Sequence, residues 1–264
     1  MASAAAGGLG LVAVTDHDTL SGLPEALAAG TACGVEVLCG VELSTARSGG
    51  RLHVLGYLPR PDPEPLAGVV AGMRAEREAR ARRIVARLAR RGVELPFEAV
   101  ARRAAGAIGR PHIAAALVEL GVVGSVQEAF DRFLGDDGEA SEPAGRLDAA
   151  DAVRLLVDSG GVAVLAHPYT LGLSPGELRA ELVSLRDVGL SGVEAYRADH
   201  DGEQRAAILA LASELGLVAT GGSDFHSVER GEAIGAVGDV LVPPASVERL
   251  RAVMISRSAV PPPA

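Results

Sequence analysis

The chain contains no lysine; all 25 of its basic residues are arginine. That removes every mechanism built on a lysine amine, and with it the usual nucleotide P-loop. Tryptophan is absent too, and aromatics make up only 3% of the 264 residues against 48% hydrophobic in total. Ala, Val and Leu must therefore fill the core, in small regular units that suit repeated β-α elements better than a sandwich. The two cysteines, Cys33 and Cys39, flank a predicted strand and read as reduced structural thiols rather than a disulfide. No apolar run approaches the about 18 to 20 residues of a membrane span, and "MASAAAGG" lacks the charged start and apolar stretch of a secretory signal. The cytoplasm is the expected compartment, with no membrane and no protein partner indicated. A net charge of -9 argues against attracting nucleic acid through the whole-protein field and leaves only a local basic patch open. No G-x-S-x-G elbow occurs, so a serine hydrolase has no support.

What the chain does have is a series of short, Val-rich apolar runs: "GLVAVTD", "VEVLCGVEL", "RLHVLGYL", "GVAVLAH", "SGVEAY", "LVATGGSD" and, less clearly, "AIGAVGDVLV". Most are continuous rather than alternating, the pattern of parallel strands covered on both faces. Between them, "LPEALAAGTACG", "AADAVRLLVDSG", "PGELRAELVSLRDVG" and "QRAAILALASELG" have helical apolar spacing and end in glycine, as helices commonly do. Strand then helix, repeated, predicts an α/β barrel or a doubly wound sheet.

Residues 59–146 break that rhythm. The stretch opens with "PRPDPEP", closes with "LGDDGEASEPAG" and holds no convincing strand. It reads as a helical insertion between residues 1–58 and 147–264 of one barrel. In its first helix Ala81, Ile84, Val85 and Leu88 share a face, while Arg74, Arg77, Arg80, Arg83, Arg87 and Arg91 populate the others. Two readings of those arginines stand: a solvated face with acidic partners such as Glu76 and Glu78, or a basic lid over a phosphorylated substrate.

The six histidines are not scattered. His17 follows "LVAV", His53 lies inside "RLHVLGY", His167 ends "VAVLAH" and His226 follows "GGSDF", where Gly221 and Gly222 read as a tight turn. Glu42, Glu194 and Asp224 likewise end or closely follow apolar runs. The carboxyl ends of barrel strands share one rim, so residues distant in sequence converge there. Gathering that many imidazoles and carboxylates is costly without a cation to pair them. Imidazole and carboxylate without thiolate suits Mn2+, Zn2+ or Fe2+ and argues against a closed cysteine-rich site.

In this order, "VTDHDTLSGL", "GVELST", "LHVLGY", "GRPHIAAAL", "VAVLAHP", "GVEAYRADHD" and "TGGSDFH" resemble the PHP (polymerase and histidinol phosphatase) superfamily. The likeness is to its small metal-dependent phosphoesterases, including nucleoside 3',5'-bisphosphate phosphatases and a related 5'-3' exonuclease. It implies a distorted (βα)7 barrel with a trinuclear metal centre at the carboxyl rim. Carried across, Glu42 bridges two metals, His53 and His167 complete one of these sites, Asp224 belongs to the other, and His17 with His226 holds the third. Arg110 and His112, in "GRPHIA", face the substrate phosphate on this reading; the alternative is a contact at a helix start. His200 stands near the site or has a surface role, and Glu194 supports the rim.

The resemblance departs at the beginning. The family pattern opens with an H-x-H pair on a first barrel strand, and none of the fifteen residues before Asp16 is His, Asp or Glu. A first strand is therefore expected to be missing, with "AAAGGLG" as the tail of the first helix and fewer than three metals bound. The function implied is hydrolysis of phosphate from nucleoside 3',5'-bisphosphates or short oligonucleotides, impaired by the missing strand. Two alternatives stay open: a non-catalytic nucleotide- or metal-binding remnant, and a histidinol-phosphate phosphatase.

Overall fold

The apolar runs take their places in one sheet of the structure, a computed structural model that describes residues 1–104, 107–135, 137–142, 145–226 and 237–258. The strands are β1 (Leu11–Val14), β2 (Glu36–Arg47), β3 (Gly50–Tyr57), β4 (Leu147–Asp148), β5 (Val162–Leu165), β6 (Gly192–Tyr196) and β7 (Val218–Gly221). Their order is β1-β2-β3-β5-β6-β7, with the short β4 pairing β2 off that path. A helix, α1 (Ala2–Ala6), precedes β1. The run "AIGAVGDVLV" supplies no strand at 237–242; its earlier residues lie outside the described ones.

The expectation of parallel strands is corrected at β3. It runs antiparallel to both β2 and β5, whereas β1 with β2, β5 with β6 and β6 with β7 are parallel. The cause is local: only Ser48 and Gly49 separate β2 from β3, which permits a hairpin and not a crossover. This reversal positions the chemistry. The other six strands, the short β4 included, run in one direction and bring their carboxyl ends to one side, and β3 reaches that side with its amino-terminal half, where His53 stands.

The four predicted helices form as α2 (Leu23–Cys33), α7 (Ala149–Asp158), α8 (Pro175–Asp187) and α9 (Gly202–Leu215), and α10 (Pro244–Ser258) is added beyond β7 once α3 to α6 below are counted. Gly34 and Gly216 close α2 and α9 in the left-handed conformation. Capping boxes of Ser174 with Glu177 and Asp201 with Gln204 start α8 and α9, each satisfying backbone N–H groups that a first turn leaves unpaired. Ala152, Val153 and Leu156 form the buried stripe of α7, and Leu156 fills the space left by Gly56 on β3. Cys39 is buried inside β2 rather than flanking it, and Cys33 is exposed; both are free thiols.

The chain divides into two compact units, 1–67 with 147–264, and 68–146. The first unit continues past Pro59 to Ala67, where buried Leu66 donates its N–H to Ser159 Oγ. The second is helical: most of α3 (Leu66–Ala89), then α4 (Phe97–Ala101), α5 (Arg110–Glu119), α6 (Val126–Ala129) and a π turn over Phe130–Leu134. Its core includes Ala81, Ile84, Leu88, Ile113, Leu117 and Leu134, with Val85 packed against it. Several arginines of α3 and of the turn after it pair with carboxylates. Arg83 pairs with Glu76, Arg83 and Arg87 with Glu142, Arg91 with Glu139, and Arg80 bonds the Glu142 carbonyl.

Candidate metal centre

Past Val14 the chain stays beside β2. Glu42 N–H donates to the Asp16 carbonyl at 3.1 Å, Asp18 N–H to the Glu42 carbonyl at 3.0 Å, and Ser44 N–H to Asp18 Oδ1 at 2.7 Å. These three bonds extend the β1–β2 pairing and place His17 alongside Glu42. Asp18 is almost fully buried, so its carboxylate acts as a clamp on β2. Asp16 is pushed up from the ordinary carboxylate range by burial, against the opposing charge of His17 and His226.

Glu42 is the hub. Its Oε1 lies 2.6 Å from His53 Nδ1 and 3.0 Å from His167 Nε2, and its Oε2 lies 3.8 Å from His17 Nδ1. His53 Nδ1 and His167 Nε2 are themselves 3.1 Å apart. The Glu42 side chain is 6% exposed, whereas those of His17 and His53 are 31% and 29% exposed, so the cluster is walled on one side and open on the other. Burial alone would raise the Glu42 carboxyl. Hydrogen bonds from His167 and His53 and the charge of His17 overcome it and hold Glu42 well below the usual range. The same pairing raises His167 against its own burial.

The second half of the cluster comes from the chain after β7. His226 Nε2 lies 3.3 Å from His17 Nε2, so the ends of β1 and β7 approach although each strand pairs on one side only among the described residues. Asp224 Oδ1 is 3.6 Å from His226 Nδ1. Asp18, His167 and Asp224 are the non-glycine residues with positive φ among those described, at 50°, 28° and 54°. Such conformations cost about 1–3 kcal/mol each and persist where the surroundings hold them, most often at functional sites.

The donor set fits a divalent cation. Glu42 Oε1, His53 Nδ1 and His167 Nε2 form a triangle with sides of 2.6, 3.0 and 3.1 Å. Donors about 2.0–2.1 Å from a common ion stand about that far apart. Donor atoms of His17, Glu42 and His53 also lie within 4.8 Å of one another. As hydrogen bonds alone the arrangement is poor, because two imidazole N–H groups would crowd one oxygen; as lone pairs around a cation it is satisfied.

Comparison with known proteins agrees. No protein-family model matches the chain. It is 32% identical over 242 residues to a 3',5'-nucleoside bisphosphate phosphatase of Chromobacterium violaceum, covering 90% of this chain and 84% of that protein. It is 30% identical over 238 residues to a 5'-3' exoribonuclease of Haemophilus influenzae, covering 89% and 87%. It is also 33% identical over 228 residues to a phosphoribosyl 1,2-cyclic phosphate 1,2-diphosphodiesterase of Eggerthella lenta, covering 84% and 85%. A crystal structure described as a metal-dependent phosphoesterase from Bifidobacterium adolescentis superposes with a TM-score of 0.82 at 29% identity, over 95% of this chain and 88% of that one. The chain belongs to the PHP family of metal-dependent phosphoesterases.

As a PHP phosphoesterase it is an enzyme that hydrolyses phosphoric esters. The remaining predicted residues make other contacts. His200 is buried rather than on the surface: its Nδ1 bonds the Ala195 carbonyl at 3.1 Å and its ring packs edge-on against Tyr169. Burial lowers its basicity. Arg110 and His112 begin α5 in the helical unit, where Arg110 donates to the Leu134 carbonyl and His112 Nδ1 accepts the Gly109 N–H. The helix-start contact expected as an alternative is thus present. Buried Glu194, raised by burial, accepts the His167 backbone N–H through Oε2 at 2.8 Å.

Sequence reasoning assigned no role to Arg197, Thr170 or Tyr57. Thr170 Oγ1 bonds His167 Nδ1 at 2.9 Å and fixes that ring. Tyr57 is buried inside the sheet, and burial with the charges of Glu194 and Glu42 keeps its hydroxyl protonated. Arg197, three residues after Glu194, signalled itself only by the carboxylates spaced around it. Gly221 and Gly222 have no positive φ. Gly221 ends β7 because a Cβ there would run into the Tyr196 carbonyl across the bulge between Glu194 and Tyr196, which replaces the tight-turn reading with one of close approach.

Proposed function

We propose that this PHP phosphoesterase releases phosphate from nucleoside 3',5'-bisphosphates or cleaves short oligonucleotides from the 5' end, using Mn2+, Zn2+ or Fe2+. The observation that carries the reading is the convergence of His17, His53 and His167 on the buried, ionised Glu42, with His226 and Asp224 joining through His17. Substrate class rests on the phosphatase and exoribonuclease relatives. No helix among the described residues is long and apolar enough to cross a membrane.

A divalent cation held by Glu42, His53 and His167 would supply Lewis acidity for the phosphoryl oxygens and for water. The chain's own residues do the rest. Glu42 stays charged at neutral pH and supplies the negative donor, and Thr170 and the Glu194 carboxylate fix the ring and backbone of His167. His200, with its Nδ1 proton committed to Ala195, presents Nε2 as an acceptor that orients the leaving oxygen. We assign Arg110 and His112 to the substrate phosphate on chemistry and resemblance alone, since a guanidinium forks onto phosphate oxygens.

Turnover of adenosine 3',5'-bisphosphate, a 5'-phosphorylated oligonucleotide, ribose 1,2-cyclic phosphate 5-phosphate and histidinol phosphate, each with Mn2+ and followed as release of phosphate or, for the oligonucleotide, of mononucleotide, tests this. The first two are expected to lead by about tenfold or more in kcat/KM. Preference for either of the others, or no turnover of any, overturns the assignment.

A further inference from the structure

The side chain of Arg197 is 6% exposed, the most deeply placed cation of the rim. Its guanidinium faces three carboxylates. Nε and Nη2 bond Asp199 Oδ1 and Oδ2 at 2.8 and 3.0 Å, Nη1 bonds Glu194 Oε2 at 3.1 Å, and Nη2 lies 3.6 Å from Asp224 Oδ2. Glu194 Oε2 is also the acceptor for the His167 backbone N–H. A single planar group therefore connects the end of β5, through Glu194, with the chain after β7, through Asp224.

Two of the residues it reaches hold backbone conformations that need support. His167 and Asp224 both sit at positive φ, which aspartate and histidine adopt more readily than most side chains but which remains uncommon outside glycine. A buried arginine is a poor way to gain stability, because well-packed apolar residues commonly do as well or better. What a rigid fork provides that an apolar side chain cannot is fixed direction on several acceptors at once. The β6 bulge between Glu194 and Tyr196 changes the register just before Arg197, next to the strand that ends at Gly221.

We propose that Arg197 is a positioning residue of the metal centre, holding Asp224 directly and His167 through Glu194 so that donors from β5 and β7 are set before a cation arrives. The inference rests on the reading of His167 and Asp224 as ligands. Asp199, whose side chain is 50% exposed, completes the fork from the solvent side.

Titration of the full chain with Co2+, followed by its visible absorption and by calorimetry, separates the two ideas. Binding by the unsubstituted protein that is lost in H167A and D224N supports the ligand reading; no binding, or binding unchanged in both, removes that reading and the inference with it. Given binding, R197M is expected to weaken Co2+ affinity by about 10- to 100-fold and to alter the absorption bands. R197K, which keeps the charge without the fork, should fall between R197M and the unsubstituted chain. E194Q should weaken binding in the same direction and add little to R197M. A folded R197M with unchanged affinity and spectrum shows that Arg197 only fills space. Should R197M fail to fold, R197K decides: unchanged affinity overturns the proposal and a weakened one supports it.

Discussion

Glu42 and His53 sit diagonally across the β2–β3 hairpin on one face, and carboxylate Oε1 meets imidazole Nδ1 at 2.6 Å. The register requires it: Glu42 opposes Leu55 and Ser44 opposes His53, so the two residues are the diagonal pair of a side-chain period of two. One hairpin therefore supplies both a buried anion and an adjacent imidazole, and β5 brings His167 to the same oxygen. A shift of one residue in the β2–β3 pairing would send His53 to the opposite face and dismantle the cluster.

Glu42→Gln keeps the shape and removes the charge. A substitution outside the ligand set typically lowers metal affinity by about 10- to 100-fold, so loss of the hub carboxylate is expected to exceed that and to abolish phosphate release. Metal content by atomic emission, with urea unfolding as the check on folding, measures it. An E42Q chain that retains its metal and turnover would remove Glu42 from the centre.

Asp18 makes a prediction of a different kind, since its contact is to backbone. Removing the acceptor in Asp18→Ala leaves the buried Ser44 N–H without this partner, at a cost of about 1–3 kcal/mol. Asp18→Asn keeps an acceptor and tolerates the positive φ of 50°, so it should lose less. The order in urea midpoint should be unsubstituted, D18N, D18A. Equal midpoints for all three would show that the clamp contributes nothing.

Much of this site was legible because its donors follow apolar runs. His17, His167 and His226 come directly after or close behind β1, β5 and β7, and parallel strands deliver such residues to one rim. His53 was found for a weaker reason, as a histidine inside an apolar run, and its arrival depends on β3 running backwards. The cue for that reversal, Ser48 and Gly49 between two strands, was in the sequence but was outweighed by the continuous valine-rich pattern. Arg197 was not legible, because its burial depends on the bulge before it and on bringing Asp224, from the chain after β7, to a guanidinium already flanked by Glu194 and Asp199.

Gly221 and Gly222 are neighbours in sequence with opposite sensitivities. A Cβ at Gly221 collides with the Tyr196 carbonyl, a backbone atom that can yield only by moving β6, whereas the nearest atom to one at Gly222 is Glu194 Oε1 at 4.0 Å. Gly221→Ala should cost about 1–3 kcal/mol or more, as overpacking does, while Gly222→Ala should stay within about 0.5 kcal/mol. Thermal unfolding of the two variants checks the contrast, and similar losses in both would return the pair to the tight-turn reading.

Metal removal should be visible in stability as well as in turnover. An ion that binds the folded chain and not the unfolded one stabilises it by about 2.7 kcal/mol at a free concentration a hundred times its dissociation constant. The stabilisation expected here is lost on adding a chelator and regained on adding Mn2+ or Zn2+ in excess. It should be absent in E42Q, since the triangle of Glu42, His53 and His167 then lacks its anion. Differential scanning calorimetry with and without chelator, on both chains, reads the effect directly. A chelator shift of equal size in E42Q would place the stabilising ion elsewhere in the molecule and leave the Glu42 cluster as a hydrogen-bonded network.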